Sequence, residues 1–76
     1  MSSTVRYGIV GTGMMGVEHI RNIEILPDAE VVAIADPVAT SLDWARDALG
    51  AAAGSVAAFA DVERFAREAR VDAVVV

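Results

Sequence analysis

Four residues of this chain have the type and spacing to hold an anion and a sugar side by side: Gly11, Gly13, Gly16 and Asp36. The three glycines stand in Gly11-Thr12-Gly13-Met14-Met15-Gly16, a G-x-G-x-x-G spacing directly after the apolar run Val5–Val10. A phosphate-binding turn needs backbone N–H groups aimed at the anion with no side chain between. Gly11 permits the tight turn, Gly13 lets the backbone approach a pyrophosphate, and Gly16 lets the following helix pack close. The start of that helix, near Met14, offers free N–H groups and a positive dipole end. Thr12, Met14 and Met15 then contribute mainly backbone, and Thr12 or Met15 can also touch the bound group. The spacing alone has many uses, and its meaning depends on context.

The context comes from an acid. Asp36 ends the apolar run Val31–Ala35 and lies twenty residues beyond Gly16. A carboxylate there accepts hydrogen bonds from ribose hydroxyls and repels a 2′-phosphate. Pro37-Val38-Ala39-Thr40 carries no Arg or Lys to hold such a phosphate. Turn and acid together point to NAD as the cofactor, in preference to NADP.

The elements that must position these residues follow from periodicity and breakers. Val5–Val10 is a strand without alternation, as expected of a parallel strand covered on both faces. A helix is predicted from Met14 to Ile25, with Met14, Val17, Ile20 and Ile23 on its inner stripe, and Pro27-Asp28 as the connection. Val31–Ala35 is a second strand. Thr40 or Ser41 is placed to cap a second helix that runs to Leu49, with Leu42, Ala45 and Leu49 inward and Gly50 as its stop. Ala51–Gly54 reads as a loop or frayed turn, and Ser55–Phe59 as a short third strand. Asp61 is a good N-cap for a third helix, Val62–Ala69, with Val62, Phe65, Ala66 and Ala69 on one face. Val71–Val76 is a fourth, buried strand. The order β-α-β-α-β-α-β predicts an α/β fold, a Rossmann-type doubly wound parallel sheet. Its four strands should lie 3-2-1-4, with a crevice above strands 1 and 4.

Other side chains have plainer expectations. His19 reads as a packed or solvated helix residue, Trp44 as cover for the sheet, and Glu18 and Glu24 as helix-surface charge. No histidine or carboxylate group has metal-ligand spacing, so no metal site is expected.

Composition narrows the classes. The chain has 76 residues, is 55% hydrophobic and contains no cysteine, which leaves no disulfide framework or thiolate metal site. A net charge of −5, with every basic residue an arginine and none clustered, argues against a nucleic-acid partner. No apolar window is long enough to span a membrane. The N-terminal Met1-Ser2-Ser3-Thr4 has no basic leader region, so a cytoplasmic setting is expected. Domains usually run to about 100–200 residues. The chain stops on Val74-Val75-Val76 within a strand, and residues 1–76 are expected to be the N-terminal part of a dinucleotide-binding domain in a longer protein.

Gly11-Thr12-Gly13-Met14-Met15-Gly16 followed by Glu18-His19 resembles the Gfo/Idh/MocA oxidoreductases. The resemblance continues through Val32-Ala33-Ile34-Ala35-Asp36-Pro37 and through Val71-Asp72-Ala73-Val74-Val75-Val76, so it covers nearly the whole chain. It implies an N-terminal NAD(P)-binding domain followed by an α/β domain with a large open sheet. It further implies hydride transfer between a nicotinamide cofactor and a hydroxyl carbon of a sugar, inositol or related polyol, in a homo-oligomeric parent. Gly11, Gly13, Gly16 and Asp36 carry over as cofactor residues, with Met14 and Met15 as backbone contacts. The family's Glu-Lys-Pro segment and its downstream Asp and His have no counterpart in this chain, which contains no lysine. Two other readings stay open: a non-catalytic NAD(H)-sensing regulatory module, and a methyl-donor site of methyltransferase type.

Overall fold

The computed structural model describes residues 4–76; residues 1–3, on which the reading of the leader rests, lie outside them. The chain runs β1 (Val5–Val10), α1 (Met14–Glu24), β2 (Ala29–Ala35) and α2 (Ala39–Leu49), then a 3-10 helix (Gly50–Ser55). It continues through β3 (Ala57–Phe59), α3 (Val62–Glu68) and β4 (Ala73–Val75). All strand pairings are parallel, and the sheet order is β3-β2-β1-β4. That is the order expected from the element sequence where crossovers between parallel strands are right-handed.

Two apolar layers hold the sheet. On one face Ile20 and Ile23 of α1 and Leu42, Ala45 and Leu49 of α2 pack on Ile9, Val31 and Ile34. On the other, Phe65 of α3 packs on Ala33 and Ala35, with Val10, Phe59, Ala69 and Val71 around it. Simple alternation along β2 would send Val31 and Ile34 to opposite faces. They share a face because Tyr7 pairs with Val31 while Gly8 pairs with Ala33, which leaves Val32 as an extra, bulged residue. The bulge switches the parity of the strand.

Several boundaries and faces differ from the periodic reading. The buried stripe of α1 is Gly16, Ile20 and Ile23, whereas Met14 is exposed and Val17 half-buried. A repeat of three falls about 60° short of a full turn at each step, so it winds off the buried face; spacings of four and three stay on it. β2 begins two residues early, at Ala29, where Val5 N–H donates to the Asp28 carbonyl at 2.8 Å.

α2 is capped by neither Thr40 nor Ser41. Its N-cap is Val38, without a side-chain cap, because Asp36 Oδ1 accepts the Val38 N–H at 2.8 Å and bends the chain into the helix early. Gly50, at φ +59, ends α2 as expected. The alanine-rich loop is an ordered 3-10 helix, which takes Ser55 out of the third strand. Asp61 does cap α3, accepting from Glu63 N–H at 2.9 Å and Arg64 N–H at 3.5 Å. Phe65 is the buried residue of that helix, while Val62 and Ala66 are exposed.

Trp44 does not cover the sheet. It is 57% exposed, because Leu42, Ala45 and Leu49 occupy the inward positions of α2 and residue 44 lies about 100° round the helix from Ala45. β4 is shorter than expected and forms an edge, with Val74 and Val76 exposed. Asp72 aligns it with β1: its N–H donates to the Arg6 carbonyl at 2.7 Å and its Oδ2 accepts the Arg6 N–H at 2.9 Å.

Candidate functional site

The C-terminal ends of β1 and β2 lie side by side, with Val10 paired to Ala35. The glycine turn leaves β1 at this point. Gly11 has φ +87, a left-handed conformation that L side chains rarely adopt, and its N–H donates to the Ala35 carbonyl at 2.8 Å. Gly13 is the N-cap of α1 in extended conformation, and nothing lies within 4 Å of where its Cβ would stand. A Cβ on Gly16 would run into the carbonyl of Gly11, so the third glycine allows the helix to close onto the turn.

The first bond of α1 joins Val17 N–H to the Gly13 carbonyl at 3.0 Å. The N–H groups of Met14, Met15 and Gly16 therefore have no intrahelical acceptor. Among the described residues no side chain caps them, and no acidic residue stands in the first turn. They sit at the positive end of an eleven-residue helix.

A crevice of about 410 Å³ opens here, lined by Val10, Gly11, Gly13, Met14, Met15, Gly16, His19 and Val76. It lies between the turn and the end of the β4 segment, where the strand order reverses about β1 and β4. No arginine is in its lining, so backbone N–H groups, the helix dipole and the imidazole of His19 are what it offers an anion. The arginines paired in the structure bridge along exposed helix faces: Arg21–Glu18 at 3.7 Å, Arg46–Asp43 at 3.5 Å and Arg64–Glu68 at 2.7 Å.

The structure brings the expected residues together. Gly11, Gly13, Met14, Met15 and Gly16 line one crevice, and Asp36 stands beside it, 8% exposed. Its Oδ2 accepts the Thr12 N–H at 2.8 Å, joining the acid to the turn. Thr12 itself is fully buried, so its side chain is not presented to the crevice, and its Oγ1 has no protein hydrogen-bond partner among the described residues. Met14 and Met15 are largely exposed and line the mouth.

His19, expected from the sequence as a packed or solvated helix residue, is half-buried and lines the crevice. Its position three residues past Gly16 was the one signal. Trp44 belongs elsewhere, to a groove of about 310 Å³ between α1 and α2, together with Met14, Val17, Glu18, Arg21, Asp47 and Ala48. Among the described residues no cluster of His, Asp or Glu is placed to hold a metal ion, and no helix is long and apolar enough to cross a membrane.

An arrangement of this kind, with a glycine turn at a strand order reversal, a bare helix start and an acid after the second strand, suits a dinucleotide. Comparison with known proteins agrees. Residues 5–76 match the model of an oxidoreductase family with an NAD-binding Rossmann fold. Inositol 2-dehydrogenase 1 of Saccharopolyspora erythraea is 43% identical over an alignment of 76 residues that covers 96% of this chain and 21% of that protein. The scyllo-inositol dehydrogenase of Lactobacillus casei, solved with NAD(H) and scyllo-inositol, superposes with a TM-score of 0.76 at 33% identity, over 95% of this chain and 20% of that one. The WlbA dehydrogenase of Bordetella pertussis, solved with NADH and UDP-GlcNAcA, superposes with a TM-score of 0.77 at 28% identity, over 93% of this chain and 20% of that one.

Proposed function

This chain belongs to the Gfo/Idh/MocA oxidoreductase family, with its NAD-binding Rossmann fold, and from that premise we propose that it is the cofactor-holding segment of an NAD-dependent dehydrogenase acting on a hydroxyl of an inositol, sugar or related polyol. The chain spans about a fifth of the length of its relative Inositol 2-dehydrogenase 1, at 21%. The substrate domain and the rest of the nucleotide domain then belong to chain beyond these residues. The substrate class rests on the names of the relatives, which are inositol dehydrogenases. The same relatives give no support to a sensing module without catalysis.

In this reading the N–H groups of Met14, Met15 and Gly16 donate to the pyrophosphate, and Gly11 and Gly13 keep that approach clear of side chains. Asp36 accepts from the ribose, and its charge disfavours a 2′-phosphate. Bound NAD supplies the hydride acceptor. The proton of the substrate hydroxyl falls to a base outside residues 1–76, which hold no counterpart of the family's Glu-Lys-Pro segment or of its downstream Asp and His. A cytoplasmic setting and a homo-oligomeric parent complete the proposal.

One observation carries it. Met14, Met15 and Gly16, whose N–H groups at the start of α1 are unpartnered among the described residues, line the crevice together with Gly13, whose Cβ position meets no non-neighbouring atom within 4 Å there. Gly13→Ala separates binding from folding. The added methyl meets no protein atom, so unfolding should move by no more than about 0.5 kcal/mol. NAD affinity, titrated by calorimetry on the intact protein, should fall by about a hundredfold, as the methyl displaces the pyrophosphate from its donors. Unchanged NAD affinity would remove the turn from the binding site.

A further inference from the structure

A carboxylate that serves only to receive ribose hydroxyls has no need to be bonded in the protein, yet both oxygens of Asp36 are. Oδ2 accepts the Thr12 N–H and Oδ1 the Val38 N–H, each at 2.8 Å, while its own N–H donates to the Phe59 carbonyl at 3.0 Å. The residue is 8% exposed, and none of the ion pairs among the described residues includes it. A buried charge without a cation is costly unless it is hydrogen-bonded. Here the N–H dipoles of the turn and of the segment entering α2 hold it.

We propose that Asp36 is the positioning residue of the phosphate-binding turn, so that the ribose end and the pyrophosphate end of the cofactor are read through one carboxylate. This rests on the reading that the crevice takes a dinucleotide. Gly11 N–H is tied to the Ala35 carbonyl and Thr12 N–H to the Asp36 side chain, so two consecutive turn residues are pinned to the end of β2. Gly13, next in the chain, starts the helix whose N–H groups meet the anion. The pose of those donors is thus set from β2. An ionised carboxylate has about four acceptor sites, and two remain for ribose hydroxyls once Thr12 and Val38 are served. Both tasks fit one side chain. Replacing the acid to admit a 2′-phosphate would therefore release the turn as well, and weaken phosphate binding whatever the ribose carries.

The discriminating probe is 2′,3′-dideoxy-ADP, which has the diphosphate and no ribose hydroxyl. Binding to the intact protein is measured where each variant is folded by circular dichroism, so that lowered stability alone does not move the result. Asp36→Ala should lose about tenfold or more in affinity for this probe, the scale of a hydrogen bond to a charged group. Asp36→Asn keeps one acceptor oxygen and should fall between the variant and the wild type. Affinity for the probe within twofold of wild type in both variants would overturn the proposal.

Should Asp36→Ala fail to fold, Asp36→Asn is read in the same way. Native-state hydrogen exchange on the unliganded wild type decides the point independently. The Thr12 amide should exchange on the order of a hundredfold more slowly than those of Met14 and Met15. Equal rates would refute the lock. A wild type that binds neither NAD nor the probe would refute the cofactor reading alone, because the exchange of Thr12 is measured without ligand.

Discussion

Gly8→Ala tests how the thinner of the two apolar layers is built. Gly8 lies in the middle of β1, paired to Ala33 on one side and Val74 on the other. A Cβ there would stand 2.5 Å from Phe65 Cζ, 3.0 Å from Cε2 and 3.2 Å from Val71 Cγ1. The Phe65 ring cannot simply swing away. It is buried, and it packs edge-on against Phe59 with ring centroids 5.8 Å apart at 84°. Two effects oppose each other. Alanine restricts the unfolded chain and favours the strand by roughly 0.5–1 kcal/mol. Overpacking a filled core costs about 1–3 kcal/mol. A contact nearly 1 Å inside ordinary carbon–carbon separation of about 3.5 Å puts the cost near the upper end, so the net loss should be about 1–2 kcal/mol.

The assay is a double-mutant cycle with Phe65→Leu, read by chemical denaturation of the intact protein. Phe65→Leu alone should destabilise by about 1–2 kcal/mol, because it opens space under α3. Combined, the smaller side chain makes room for the new methyl, and the pair should be more stable than the sum of the singles by at least about 0.5 kcal/mol. Strict additivity, or a Gly8→Ala protein as stable as wild type, would refute the claim that Phe65 occupies the volume a Cβ needs.

Three further outcomes follow from the site. Gly16→Ala gains helix propensity of about 1 kcal/mol but drives a methyl into the Gly11 carbonyl, so α1 must lift from the turn; denaturation should show a net loss and titration a NAD affinity reduced about tenfold or more. An unchanged affinity would mean that the helix start tolerates the shift. Thr12→Val removes a buried hydroxyl without a partner among the described residues and keeps the shape, so stability should rise by about 1 kcal/mol; a fall would show that Oγ1 is bonded in the intact protein. Residues 1–76 prepared alone should give no turnover with NAD and inositols, since the Glu-Lys-Pro segment and the downstream Asp and His of the family have no counterpart in them, and the exposed apolar edge at β4 should make that preparation prone to associate. Dehydrogenase activity in it, or a monomer at high concentration, would contradict these two statements in turn.

Much of the site is legible in the chain because its requirements are local. A positive φ at the first turn residue and a helix start without a side-chain cap are properties of a few consecutive residues, and Gly11 and Gly13 state them directly. Element order then dictates sheet order, since helical crossovers between parallel strands have one hand. Asp36 is marked by its place at the end of the second apolar run and by its distance from Gly16.

What the tertiary structure decided are contacts between residues far apart in sequence. No local signal says that the Asp36 carboxylate reaches the Thr12 amide, that Phe65 fills the space above Gly8, or that His19 and Val76 line one crevice. The Val32 bulge shows why. One extra residue reverses which side of β2 faces α1 and α2, and it exists only in the pairing with β1. Trp44 teaches the same from the other direction: hydrophobicity suggested a buried ring, but Leu42, Ala45 and Leu49 already fill that face of α2, and the indole was left at the groove. Sequence determines which groups are close along the chain and how each short segment bends. Which side chains then compete for the same volume, and which carboxylate oxygen meets which amide, is settled only when the layers close.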